Sequence, residues 1–106
     1  MSRIQVWDEA GFRSALQSGG LVLADFFSEW CGPCEILAKT LESMIADIPE
    51  TVSVGKVDVT AAPAVAAEYR IVSIPTLVLF KGGAVLESHT GLCGREEILA
   101  LLKKHL

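Results

Sequence analysis

Residues 21–37 read LVLADFFSEWCGPCEIL: an apolar run broken by one carboxylate, a short polar link, then Cys31 and Cys34. The run 21–27 is apolar at odd and even positions alike, which predicts a strand covered on both faces and therefore central in its sheet. Beyond the cysteines, Ile36, Leu37, Leu41, Met44, Ile45 and Ile48 recur at helical spacing. They predict an amphipathic helix over about 33–47, ending before Pro49. A buried strand feeding directly into a helix is the opening of an α/β unit.

The flanking sequence extends that unit. An extended piece around Ile4–Trp7 precedes a helix that Asp8 is placed to cap, running to about Gln17 and stopped by SGG at 18–20. TVSVGKVDV (51–59) reads as a second strand, and APAVAAEY (62–69) as a short helix with Pro63 in its first turn. TLVLF (76–80), the turn KGG (81–83) and AVLESHT (84–90) read as a β-hairpin. A last helix follows in GREEILALLKKHL, its acidic start and basic end matched to its dipole. The order βαβαβαββα predicts a small α/β sandwich, a central mixed sheet with helices on both faces.

With 106 residues, no internal repeat and no Pro/Gly/Ser-rich linker, a single domain over 1–106 is expected. The composition is that of a globular, soluble chain. A net charge of −4 argues against nucleic acid or an anionic membrane as the main partner, because both select a basic face. Neither a secretory signal nor a membrane-spanning segment is expected, since charges interrupt MSRIQVWDEA and LVLADFF is too short to span. Three cysteines are too few, and odd in number, for a secreted disulfide scaffold. One close pair and one leftover suit an intracellular protein whose pair does chemistry.

The pair can be redox-active, metal-binding or structural. At a helix N-terminus, free N–H groups and the dipole favour an anion, so a thiol at Cys31 ionises more easily, and only the thiolate attacks sulfur. Pro33 fits the first turn, where its missing N–H leaves no bond unmade. Cys34, one turn further in, is placed to resolve a mixed disulfide formed on Cys31, and tethering contributes more than acidity. A zinc site would draw on His89, Cys93 and His105, but structural zinc sites favour two close ligand pairs in loop-rich surroundings. Haem attachment is excluded by Glu35 where histidine would follow Cys34. A staple closing so small a loop contributes little entropy. Redox chemistry is the reading that fits.

Asp25 admits two readings. It is either a strand-end carboxylate facing solvent, or a buried group of raised pKa that takes the proton from Cys34. Lys56, alternating with Val52 and Val54, is either a solvated lysine or the charge that tunes Asp25. Pro75, directly before TLVLF, suits the first position of a strand, and a cis Ile74–Pro75 bond is open. Cys93, two residues after Gly91, is either an inert apolar residue or a modifiable thiol.

Taken in register, WCGPC at 30–34, the upstream ADF, the KVDV strand, IPTLVLF with its glycine turn, and Gly91 resemble the thioredoxin family over almost the whole chain. The resemblance implies a thioredoxin fold and a cytoplasmic, monomeric protein disulfide reductase. It casts Cys31 as the exposed nucleophile and Cys34 as the buried resolving thiol, with Gly32 and Pro33 setting a reducing potential. Asp25 becomes the acid–base group, Lys56 its partner, and Pro75 a cis-proline. Trp30, Ile74, Pro75 and Gly91 form the apolar groove where an oxidised client protein docks. No cofactor is implied on the chain itself; electrons come from a separate flavoprotein, thioredoxin reductase, drawing on NADPH. Departures from the family pattern are Phe27 in place of a second tryptophan, Glu35 in place of a basic residue, Lys39 in place of a proline, and the extra Cys93. Lys39 is expected to leave the helix straighter, and Glu35 to disfavour the Cys31 thiolate and alter partner preference.

Overall fold

The structure is a computed structural model describing residues 2–106. Its elements are β1 (Gln5–Val6), α1 (Glu9–Gln17), β2 (Leu21–Phe27), α2 (Gly32–Met44) with a 3-10 turn at Ile45–Asp47, and β3 (Ser53–Asp58). They continue with α3 (Pro63–Glu68), β4 (Thr76–Lys81), β5 (Ala84–Thr90) and α4 (Arg95–Lys103). All the expected elements form, each within a few residues of its expected ends. The long central helix is the main adjustment: it tightens to 3-10 geometry after Met44, ahead of Pro49. It runs as one helix through Lys39.

Local chemistry accounts for the boundaries. Asp8 caps α1, its Oδ1 accepting from Gly11 N–H at 2.7 Å. The hairpin between β4 and β5 turns on Gly82 and Gly83 (φ +58° and +81°), a left-handed pair that matches the right-handed twist of the strands.

The sheet order is β1-β3-β2-β4-β5. β1, β3 and β2 are parallel, whereas β4 is antiparallel to β2 and β5 to β4. β2 is central, as its two-sided apolar pattern predicts. Leu23 packs on one face with Leu37, Leu41 and Met44 of α2 and Ile98 and Leu102 of α4. Val22, Ala24 and Phe26 pack on the other with Phe12 and Leu16 of α1 and Val65 of α3. Phe12 anchors that second layer edge-to-face, its ring centroid 6.0 Å from Phe26, 5.9 Å from Tyr69 and 5.4 Å from Phe80. Ile36 is the exception to the predicted helix stripe. It is 55 % exposed, because the buried face follows Cys34, Leu37 and Leu41.

Arg3 ties the N-terminal segment to the far end of α2. Its guanidinium donates to the carbonyls of Ile45, Ile48, Pro49 and Val52 at 2.5–3.0 Å. Those carbonyls lie at the helix end and in the loop into β3; Ile45 and Pro49 also accept the backbone N–H of Ile48 and Val52, so the guanidinium is a second donor there. Among the described residues, no helix is long and apolar enough to cross a membrane.

Candidate active site

β2 ends at Phe27, at the C-terminal end of the central strand, and Ser28–Trp30 lead into α2. Cys31 is the N-cap of that helix, in extended conformation, and its Sγ accepts from Cys34 N–H at 3.2 Å. Pro33 sits in the first turn, as its missing donor suggests. Cys31 and Cys34 lie at disulfide distance with Cα atoms 5.2 Å apart. They differ in access: Cys31 is half-buried, while Cys34 is 3 % exposed beneath it. Gly32 and Pro33 between them are exposed, and Trp30 stands almost fully in solvent at 95 %.

Asp25 is completely buried, which decides against the solvent-facing reading. It shares a face of β2 with Leu23, on the side where α2 packs. Neither carboxylate oxygen has a hydrogen-bond partner among the described residues. Burial pushes the carboxyl up from 3.8 to about 6, and the positive charge of Lys56 pulls part of the way back. Lys56 stands directly opposite Asp25 in the parallel β2–β3 register. Its Nζ also lies 4.6 Å from the centroid of the Phe27 ring, a cation–π contact. Nothing in the local sequence announces that contact; only the strand register creates it.

A cavity of about 220 Å³ opens beside the pair, lined by Phe27, Ser28, Glu29, Cys34, Glu35, Ala38 and Lys56. It brings Glu35, the acidic departure, to the same recess as Cys34 and Lys56. On the β4 side, the Ile74–Pro75 bond is cis. Pro75 is buried and Ile74 half-buried. Gly91 N–H donates to the Pro75 carbonyl at 2.8 Å, so these two predicted docking residues are physically joined. Gly91 holds φ +92°, a conformation that favours glycine.

Comparison with known proteins agrees with this geometry. The thioredoxin family model matches residues 3–104. The chain belongs to the thioredoxin family. It is 43 % identical to a thioredoxin of Chlamydia trachomatis over 102 residues, covering 96 % of this chain and 98 % of that one. A thioredoxin of Staphylococcus aureus is 40 % identical over 106 residues, the full length of both chains. Among solved structures, a mutant thioredoxin from Halobacterium salinarum superposes with a TM-score of 0.85 at 30 % identity, covering 96 % of this chain and 88 % of that one. A Malassezia sympodialis thioredoxin also gives 0.85, at 29 % identity, with 97 % and 91 % covered. Family membership and the Cys31–Cys34 pair at disulfide distance make the chain a thiol–disulfide oxidoreductase of the thioredoxin family.

The remaining cysteine is outside the disulfide pair. Cys93 is 3 % exposed in the core beneath α4, and burial, then the charge of Glu97, push its thiol up to about 11. His105, a candidate metal ligand on sequence, is instead engaged with Glu87 at 2.7 Å. Glu97, which no sequence pattern singles out, joins His89 and Cys93.

Proposed function

We propose that the chain acts as a single domain over residues 1–106 that reduces disulfides in client proteins. The observation that carries this reading is the asymmetry of the pair at the head of α2: an accessible Cys31 above a buried Cys34. In the reduced protein the Cys31 thiolate attacks one sulfur of a client disulfide, forming a mixed disulfide and releasing the client's other sulfur as a thiolate. The Cys34 N–H and the positive end of α2 favour the anion on Cys31. Cys34 then attacks Cys31 Sγ, and the client's second sulfur leaves, so two electrons pass from the pair to the client.

Cys34 must lose its proton for that second step. Asp25 is the base we assign to it, ionised above about pH 6 and able to return the proton to the departing thiolate. Lys56 keeps that carboxyl from rising further. Trp30, Ile74, Pro75 and Gly91 form the docking surface, where an extended client segment adds its backbone alongside Pro75. A separate flavoprotein, thioredoxin reductase using NADPH, returns two electrons to the Cys31–Cys34 disulfide, so no cofactor resides on the chain. A monomer acting in the cytoplasm completes the reading.

The test is reduction of insulin disulfides, with NADPH and candidate thioredoxin reductases as the electron supply. Wild type is expected to turn over, and Cys31→Ser to lose all turnover while remaining folded. Full activity in Cys31→Ser would overturn the assignment and leave the protein as a binding module whose thiols are not used.

A further inference from the structure

Behind the last strand lies a second group of chemically distinct side chains. His89 at the end of β5, Cys93 in the connection and Glu97 in the first turn of α4 each bring one donor atom within 4.8 Å of the other two. We propose that these three residues form a binding site for a borderline-soft divalent cation such as Zn²⁺, separate from the redox pair.

The donor set favours this class of ion. A thiolate selects against Mg²⁺ and Ca²⁺, and an imidazole with a thiolate and a carboxylate suits Zn²⁺. The thiolate and the carboxylate together neutralise the ion's two charges. Tetrahedral bonds of about 2.0–2.3 Å set donors about 3.3–3.6 Å apart, so each pair closes by little more than about 1 Å. The fourth position is left for water.

Side-chain placement makes that closure modest. Glu97 Oε1 accepts from Gly94 N–H at 3.2 Å, which holds the carboxylate while Oε2 stands 4.0 Å from His89 Nε2. His89 Nε2 lies 2.9 Å from the Leu92 carbonyl. Coordination through Nε2, the nitrogen that faces Glu97, exchanges this contact for the metal and leaves the ring proton on Nδ1. The side chains of His89 and Glu97 are 35 % and 59 % exposed, so the ion has a route in although Cys93 is buried. Ligands spaced four residues apart along one short segment need no distant part of the chain to be brought in. As the metal–sulfur bond forms, the Cys93 proton leaves to solvent, and nothing is oxidised or reduced.

This inference is independent of the proposed reductase activity. The test uses protein with Cys31–Cys34 held as the disulfide, so that Cys93 is the one free thiol, stripped with chelator and titrated with Co²⁺ and then Zn²⁺. The expected result is one equivalent of Co²⁺ giving a thiolate-to-cobalt charge-transfer absorption, displaced by Zn²⁺ and missing in Cys93→Ser. His89→Ala and Glu97→Gln alter a part-exposed and an exposed side chain and keep the thiol. Each should weaken binding by more than the roughly 10–100-fold that loss of an outer contact costs. No charge-transfer absorption in the wild type, or one with unchanged affinity in both of these variants, overturns the site. Neither result bears on insulin reduction by Cys31, which the stripped protein is expected to retain.

Discussion

Replacing Asp25 by asparagine separates the energetic burden of this carboxylate from its use. Asparagine keeps the shape and removes the charge. Burial raises the carboxyl from 3.8 to about 6, which at about 1.36 kcal/mol per pH unit amounts to about 3 kcal/mol held against the folded state once Asp25 is ionised. The sign follows from proton linkage. Between these two values the native state holds the proton more tightly than the unfolded chain. Stability is therefore greatest below about pH 4 as far as this group is concerned, and falls as pH rises through about 6. Asp25→Asn should thus be about 3 kcal/mol more stable than wild type at about pH 7.5, and nearly equal to it at about pH 3.5. Both forms carry an unpartnered polar side chain, so that cost cancels in the comparison. The assay is urea unfolding of the oxidised proteins at both pH values, with m held common to the two variants. In heating experiments near neutral pH the difference corresponds to roughly 10–20 °C. A stability difference that does not change between the two pH values would refute the buried-carboxylate reasoning. So would an asparagine variant less stable than wild type at the higher pH.

The same variant should be slower in insulin reduction by roughly a hundredfold at neutral pH, the low end for a lost general base. Wild-type kinetics in Asp25→Asn would remove the residue from the mechanism. Glu35→Lys should accelerate alkylation of Cys31 below neutral pH by about two- to fivefold, the equivalent of about 0.3–1 kcal/mol from exchanging a charge near a helix N-terminus, and an unchanged rate would exonerate Glu35. Arg3→Ala should destabilise the fold by about 1–3 kcal/mol, since four carbonyls lose a charged donor and only those of Ile45 and Pro49 keep a backbone N–H. Arg3→Lys should recover little of this, because an ammonium cannot span all four, and urea midpoints within error of wild type for both would contradict the clamp.

The sequence by itself was enough for the elements and for the redox centre. Apolar periodicity along β2 and α2 depends only on neighbouring residues, so a central strand and an amphipathic helix can be read directly from 21–37. The helix-start position of Cys31 and Cys34 is equally local, as is the glycine pair that turns the hairpin. Ile36 departs from its expected place because spacing alone does not say where the buried stripe ends.

Tertiary structure decided what depends on residues far apart in the chain. Periodicity carries no information on strand order. That β4 inserts antiparallel between β2 and β5 is a matter of which edges pair. Asp25 could be read as buried or solvent-facing until α2 covered its face of the sheet, and Lys56 became its neighbour only through the β2–β3 register. The Arg3 clamp joins residues more than forty positions apart and has no local signature. Glu97 looks in sequence like an ordinary acidic residue at a helix start. The fold of the β5–α4 connection is what sets it beside His89 and Cys93, because desolvation, pKa and coordination all follow from proximity in space.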